Sequence, residues 1–133
     1  MLQRDYIIRL IQEFAAAMQR FLEKKEVEDR QAAIQDLYRQ FLGESELYHQ
    51  GTMDEVMHSF ERWHADERLQ RMEMLAELYY TEAFLRIWPV REEMLKRAHQ
   101  LFVFIDSHSD TFSVERRQKI EKIEQEIGTK SDK

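Results

Sequence analysis

The chain is almost without residues that break or reverse a backbone. Its 133 residues include 3 Gly, 1 Pro and no Asn. Sandwiches and barrels turn sharply many times, and Gly and Asn supply the positive-φ positions those turns require. A fold built on many tight turns is therefore excluded. Gly43, Gly51 and Gly128 are scattered, whereas P-loop and dinucleotide-binding fingerprints need clustered glycines. A glycine cradle for a nucleotide is excluded with them.

Charge and cysteine usage narrow the field further. With 26 acidic and 20 basic residues, the net charge is −6. An acidic chain lacks the general basic face that phosphate backbones require, so no nucleic-acid partner is expected. The absence of Cys excludes disulfides, thiolate zinc sites, iron–sulfur clusters and cysteine nucleophiles. It suits a reducing compartment, and a cytoplasmic location is the expectation. The longest apolar run, Leu101 to Ile105, is far short of the ~20 residues that span a bilayer, so no membrane span is expected. Arg4, Asp5 and Arg9 interrupt the first apolar stretch, which does not read as a signal peptide.

Apolar residues recur at helical spacing throughout. The first helix is expected over about 2–24, on Tyr6, Ile7, Leu10, Ile11, Phe14, Met18, Phe21 and Leu22. The second spans about 28–42, with Gly43 as a left-handed C-cap. Residues 44–51 read either as a short helix around Leu47 and Tyr48 or as an irregular segment. Thr52 and Glu55 form a capping box that opens a helix carrying Met53, Val56, Met57, Phe60 and Trp63. Asp66 is expected to cap a helix over about 67–87, which Pro89 ends. Another covers about 90–106. Ser113 caps a last helix over 114–127, with Val114, Ile120, Ile123 and Ile127 inward and Gly128 as its stop.

The expected fold is all-α: five to six helices in antiparallel hairpins, as a right-handed tetratricopeptide-like superhelix or an irregular bundle. A single helical domain covers 1–128, followed by a polar tail over 129–133. No tetratricopeptide consensus is met, because Ala76 and Ala98 are 22 positions apart, against a period of about 34.

Two segments carry a family resemblance. Arg4-Asp5-Tyr6-Ile7-Ile8-Arg9-Leu10-Ile11 resembles the opening of an uncharacterised family of small helical bacterial proteins. Phe104 to Arg117, with Asp106-Ser107-His108-Ser109-Asp110 inside it, resembles that family's closing motif. The resemblance implies a bacterial, cytoplasmic, helical protein. It supplies no activity.

Three Glu-x-x-His pairs are the most suggestive chemical pattern: Glu46 with His49, Glu55 with His58, and Glu61 with His64. On a helix each pair shares a face, and two such pairs ligate the metals of di-iron bundles. But His58 and His64 are six residues apart, about 120° around one helix. The competing reading is a solvated surface in a chain with 18 Glu. His108 among Asp106, Ser107, Ser109 and Asp110 lacks the strained nucleophile turn a triad needs. Those residues read as ordinary loop chemistry. Arg116, Arg117, Lys119 and Lys122 alternate with acids, as on a charge-laced helix face.

Aromatic and methionine content is the stronger lead. Most of the 15 aromatic residues and 7 Met sit on stripes, but Tyr79, Tyr80, Phe84, Trp88, Phe104 and Phe112 exceed what one stripe per helix requires, and such types are enriched at interface cores. The competing reading is a thicker core. The favoured function is a non-enzymatic protein–protein interaction or scaffold module, with Tyr80, Phe84, Trp88, Arg91 and Phe104 contacting a protein or peptide partner or a second copy in a homodimer. The alternative is a metal- or small-ligand-binding bundle on Glu55, His58, Glu61 and His64. No cofactor is expected.

Overall fold

The computed structural model describes residues 2–131, without the side chains of residues 2, 3, 27 and 129–131. Among the described residues there are seven α-helices, two 3-10 turns and no strand. The helices are α1 (Leu2–Leu22), α2 (Val27–Leu42), α3 (Glu46–Gln50), α4 (Met53–Ser59), α5 (Arg68–Ala83), α6 (Val90–His108) and α7 (Val114–Ser131). The 3-10 turns are Phe60–Arg62 and Ala65–Glu67. The protein is all-α. The seventh helix is the short α3, in the stretch the sequence leaves open.

The chain divides into two compact units, Met1–Met74 and Leu75–Lys133, with the boundary inside α5. In the first, α1 and α2 pack as a hairpin. The link between them is short, which makes the pair antiparallel. Leu10, Ala17 and Phe21 of α1 and Ile34, Leu37, Tyr38, Phe41 and Leu42 of α2 are buried. Phe14 meets Phe41 edge to face, with ring centroids 5.0 Å apart. Gly43 takes φ 85°, and its N–H returns to the Arg39 carbonyl. That ends α2 as the sequence predicts.

The short elements that follow are held by polar ties. Thr52 and Glu55 make both bonds of the capping box, at 3.1 and 2.8 Å. The helix they open ends at Ser59, so Phe60 lies in a 3-10 turn and Trp63 beyond it. Tyr48 is fully buried, and its hydroxyl donates to the Leu42 carbonyl at 3.2 Å. Arg62 donates to the Tyr48 hydroxyl at 2.7 Å and to the Leu42 carbonyl. Burial raises the Tyr48 phenol above its ordinary pKa.

Arg71 is the deepest cation of this unit. It donates to the Phe41 carbonyl and, at 3.0 Å, to the Tyr6 hydroxyl. Its guanidinium lies 5.1 Å from the Trp63 ring centre and 3.9 Å from the buried Glu67 carboxylate. Asp66 does not cap α5. It sits inside the second 3-10 turn, where the His64 side chain accepts its N–H at 3.3 Å.

In the second unit α6 and α7 form the other hairpin. Met94, Leu95, Ala98, Leu101, Phe102 and Ile105 of α6 are buried, with Ile120 and Ile123 of α7. α5 is tied to both partners within this unit. Arg97 donates to the Tyr79 hydroxyl at 3.3 Å, and the Lys119 ammonium sits 2.7 Å from both Glu77 oxygens.

The main differences from the sequence reading lie in α5 and α7. α5 ends at Ala83, six residues before Pro89, because residues 84–89 leave the helix as a turn. Ser113 caps α7 as expected, accepting the Arg116 N–H at 3.1 Å, but Val114 in its first turn is exposed. α7 then runs through Gly128 to Ser131, across the start of the expected tail. Residues 132 and 133 lie outside the described residues.

Candidate functional site

The α5–α6 corner gathers four of the five residues expected at a partner surface. α5 has no glycine at its end, and its last carbonyls are met by the turn that follows: the Leu85 N–H donates to the Glu82 carbonyl at 2.8 Å and the Arg86 N–H to the Ala83 carbonyl at 3.1 Å. Arg91 braces that turn: its Nε donates to the Ala83 carbonyl at 3.1 Å and the Arg86 carbonyl at 2.9 Å. Its guanidinium also lies 5.5 Å from the Phe84 ring centre. Arg86 in turn makes two bonds to one oxygen of the buried Glu82, at 3.1 and 2.7 Å. Tyr80 meets Phe84 edge to face at 5.2 Å and Phe102 at 6.4 Å, with Lys119 over its ring.

Tyr80 and Arg91 therefore both meet Phe84. Trp88 is half-buried in the turn, before a cis bond to Pro89. Phe104 is elsewhere, about 20 Å further along α6 by helical rise, and stacks on the His108 ring at 4.0 Å. What the corner holds out to solvent is Ile87, 81% exposed, and Val90, 49% exposed. Sequence reasoning did not single these two out. Their signal is an apolar pair flanking Pro89 that belongs to neither helix stripe.

A groove of about 650 Å³ lies on the outer side of the α6–α7 hairpin. Val103 and Ile127 line it, with Gly128 beside them and the His99–Glu124 pair, 2.9 Å apart, at its edge. A methyl group at Gly128 would have no neighbour within 4 Å.

The Glu-x-x-His residues are taken up by local bonds. Glu55 accepts the Thr52 N–H in the capping box. His58 pairs with Glu61 at 2.7 Å on exposed surface, and His64 lies 3.6 Å from Asp66. Of the four candidate ligands, only His58 and Glu61 are brought into a shared contact. His49 bonds back to the Ser45 carbonyl at 2.7 Å. Among the described residues no three His, Asp or Glu side chains are placed to share a metal ion.

The loop after α6 is a structural device. Asp106 accepts from Arg116 at 3.0 Å and from Arg117 at 2.9 Å. The Arg117 and Arg116 bonds hold its carboxyl below the usual carboxylate range. Arg116 is buried and also donates to the Thr111 carbonyl. His108 bonds to the Phe104 carbonyl at 2.9 Å, not to Asp106. Lys119 pairs with Glu77 and Lys122 with Glu126. The expected basic cluster is thus engaged within the chain. Among the described residues no helix is long and apolar enough to cross a membrane.

No family model, curated protein or solved structure matches the chain.

Proposed function

We propose that the chain is a non-enzymatic protein–protein interaction module built from helical hairpins, acting in the cytoplasm. Membership of the bacterial helical family that its two ends resemble belongs to the same reading. The observation that carries it is the α5–α6 corner, where Ile87 and Val90 are held in water on a locked turn. Exposed apolar surface is worth about 25 cal/mol per Å² when it is removed from water. A side chain presented on a fixed backbone also loses little freedom on binding. The corner suits a partner protein with an apolar pocket deep enough for Ile87, with Val90 against its rim.

The test compares proteins retained by the full chain and by Ile87→Glu and Val90→Glu variants, quantified by mass spectrometry. A central apolar anchor is worth about 2 kcal/mol, or roughly thirtyfold in affinity. A partner retained by the wild-type chain should be lost from both variants while helicity and melting temperature stay unchanged. Equal retention by all three chains overturns the reading.

A further inference from the structure

α1 carries two apolar seams, and the hairpin uses one of them. Ile7, Leu10, Phe14, Ala17 and Phe21 recur at alternating steps of three and four, and so do Ile8, Ile11, Ala15, Met18 and Leu22. That spacing is the repeat of packed helix pairs. The seams are one residue apart, which is about 100° around the helix. The first is turned inward: Leu10, Ala17 and Phe21 are buried, and Phe14 packs on Phe41. The second is in water: Ile8 is 45% exposed, Ile11 44% and Leu22 61%, with Ala15 exposed and Met18 half-buried. The inner seam already accounts for the packing of α1 on α2. The outer one is left largely in water.

We propose that a second copy of this chain covers the outer seam, with its α1 antiparallel to the first. Charge selects both the occupant and its direction. Arg4 lies on the outer seam one step before Ile8. A parallel pair would set each Arg4 against its own copy, and like charges in direct opposition repel. Reversing one helix separates them. The register that places Ile11 against Leu22 of the second copy, and Ala15 against Met18, fills four successive layers with apolar side chains only. In that register Arg9 comes level with Lys24 and within one residue of Glu23, both just past the last residue of α1, and the Arg9 side chain is long enough to reach toward Glu23. Both are exposed, and two-fold symmetry makes the contact twice. Gln12 and Gln19 line the same edge. Ala15 at the second layer lets the helices approach closely around Met18. Four layers is less than a free-standing coiled coil needs. But α1 is already ordered by its inner seam, so the ordering entropy is spent before association.

This inference does not rest on the α5–α6 corner. The absence of native Cys makes a cross-linking test clean. Ile11→Cys and Leu22→Cys chains, purified separately, mixed and oxidised with diamide, should form a mixed disulfide dimer well above either homodimer. Ala15→Cys with Met18→Cys should do the same. Homodimers of Ile11→Cys in excess of the mixed product, or no product above that of Glu13→Cys on the opposite face, overturn the antiparallel pairing. A charge exchange gives a second readout. Arg9→Glu and Glu23→Arg should each raise the dimer dissociation constant about fivefold, and the double variant should restore it. Failure of the double variant to recover overturns the register.

Discussion

The end of α2 in the first unit and the end of α5 in the second meet the same difficulty by different routes. A helix leaves its last carbonyls without partners. At α2, Gly43 turns the backbone and satisfies Arg39, but the Phe41 and Leu42 carbonyls are satisfied by Arg71 and Arg62, which arrive from 30 and 20 residues away. At α5 there is no glycine; the Arg86 N–H closes on the Ala83 carbonyl within the turn, and Arg91, from the next helix, adds a second bond to it across eight residues. The first closure is tertiary, with Arg71 buried and Arg62 at the surface, while the second is local and half-exposed. A unit closed by distant arginines depends on its interior polar contacts. A corner closed locally holds its shape by itself and can carry Ile87 and Val90 in water.

Arginine replacement is the strongest way to break that comparison. Arg71→Met should cost about 3 kcal/mol, because it removes two bonds and leaves the Glu67 carboxylate buried without its cation. Arg91→Met should cost about 1 kcal/mol. Urea titration of both variants measures the difference. Equal losses would show that the two closures are alike. The glycines give a smaller and signed contrast. Gly43→Ala should destabilise by about 1 kcal/mol, because an alanine at φ 85° is strained. Gly128→Ala should stabilise by about 0.5 kcal/mol, because it lies inside α7 with open space around the added methyl. The same titration checks both signs.

The smallest effect is read in pH. Asp106 has its pKa lowered by Arg117 and Arg116, so its contribution is present above the ordinary carboxylate value and is lost as pH falls through the lowered one. Asp106→Asn should therefore melt below the wild-type chain at neutral pH. The gap should close as pH drops below about 4. A gap that stays constant across that range would show that the arginines do not act through the charge.

Fold elements that depend on local chemistry were legible in the sequence. Gly43, the Thr52–Glu55 box and the Ser113 cap each satisfy a backbone group within a few residues, and each is where the pattern places it. Helix ends read from a single breaker residue were not. Pro89 reads as the stop of α5, but the Leu85 and Arg86 N–H groups turn back on Glu82 and Ala83 earlier, and Ala83 is the last helical residue. Gly128 reads as a stop, yet a single glycine costs a helix only about 1 kcal/mol, and α7 passes through it. The surface chemistry followed the same division. Glu-x-x-His spacing shows which residues share a face but not what each one bonds, and capping and ion pairs took up Glu55, His58, Glu61 and His64. The aromatic residues marked the α5–α6 corner, but they pack on one another there. The residues held out to solvent are aliphatic ones that no helix stripe claims.

The outer seam of α1 leaves Ile8, Ile11 and Leu22 in water, and the mass of the intact chain in solution tests its role most directly. Sedimentation equilibrium of the unmodified protein should show a weight-average mass that rises with concentration from 16.3 kDa toward twice that value. Ile11→Glu should hold it at the monomer mass. A mass fixed at 16.3 kDa up to about 100 μM, or a rise that Ile11→Glu leaves unchanged, would contradict pairing through this seam.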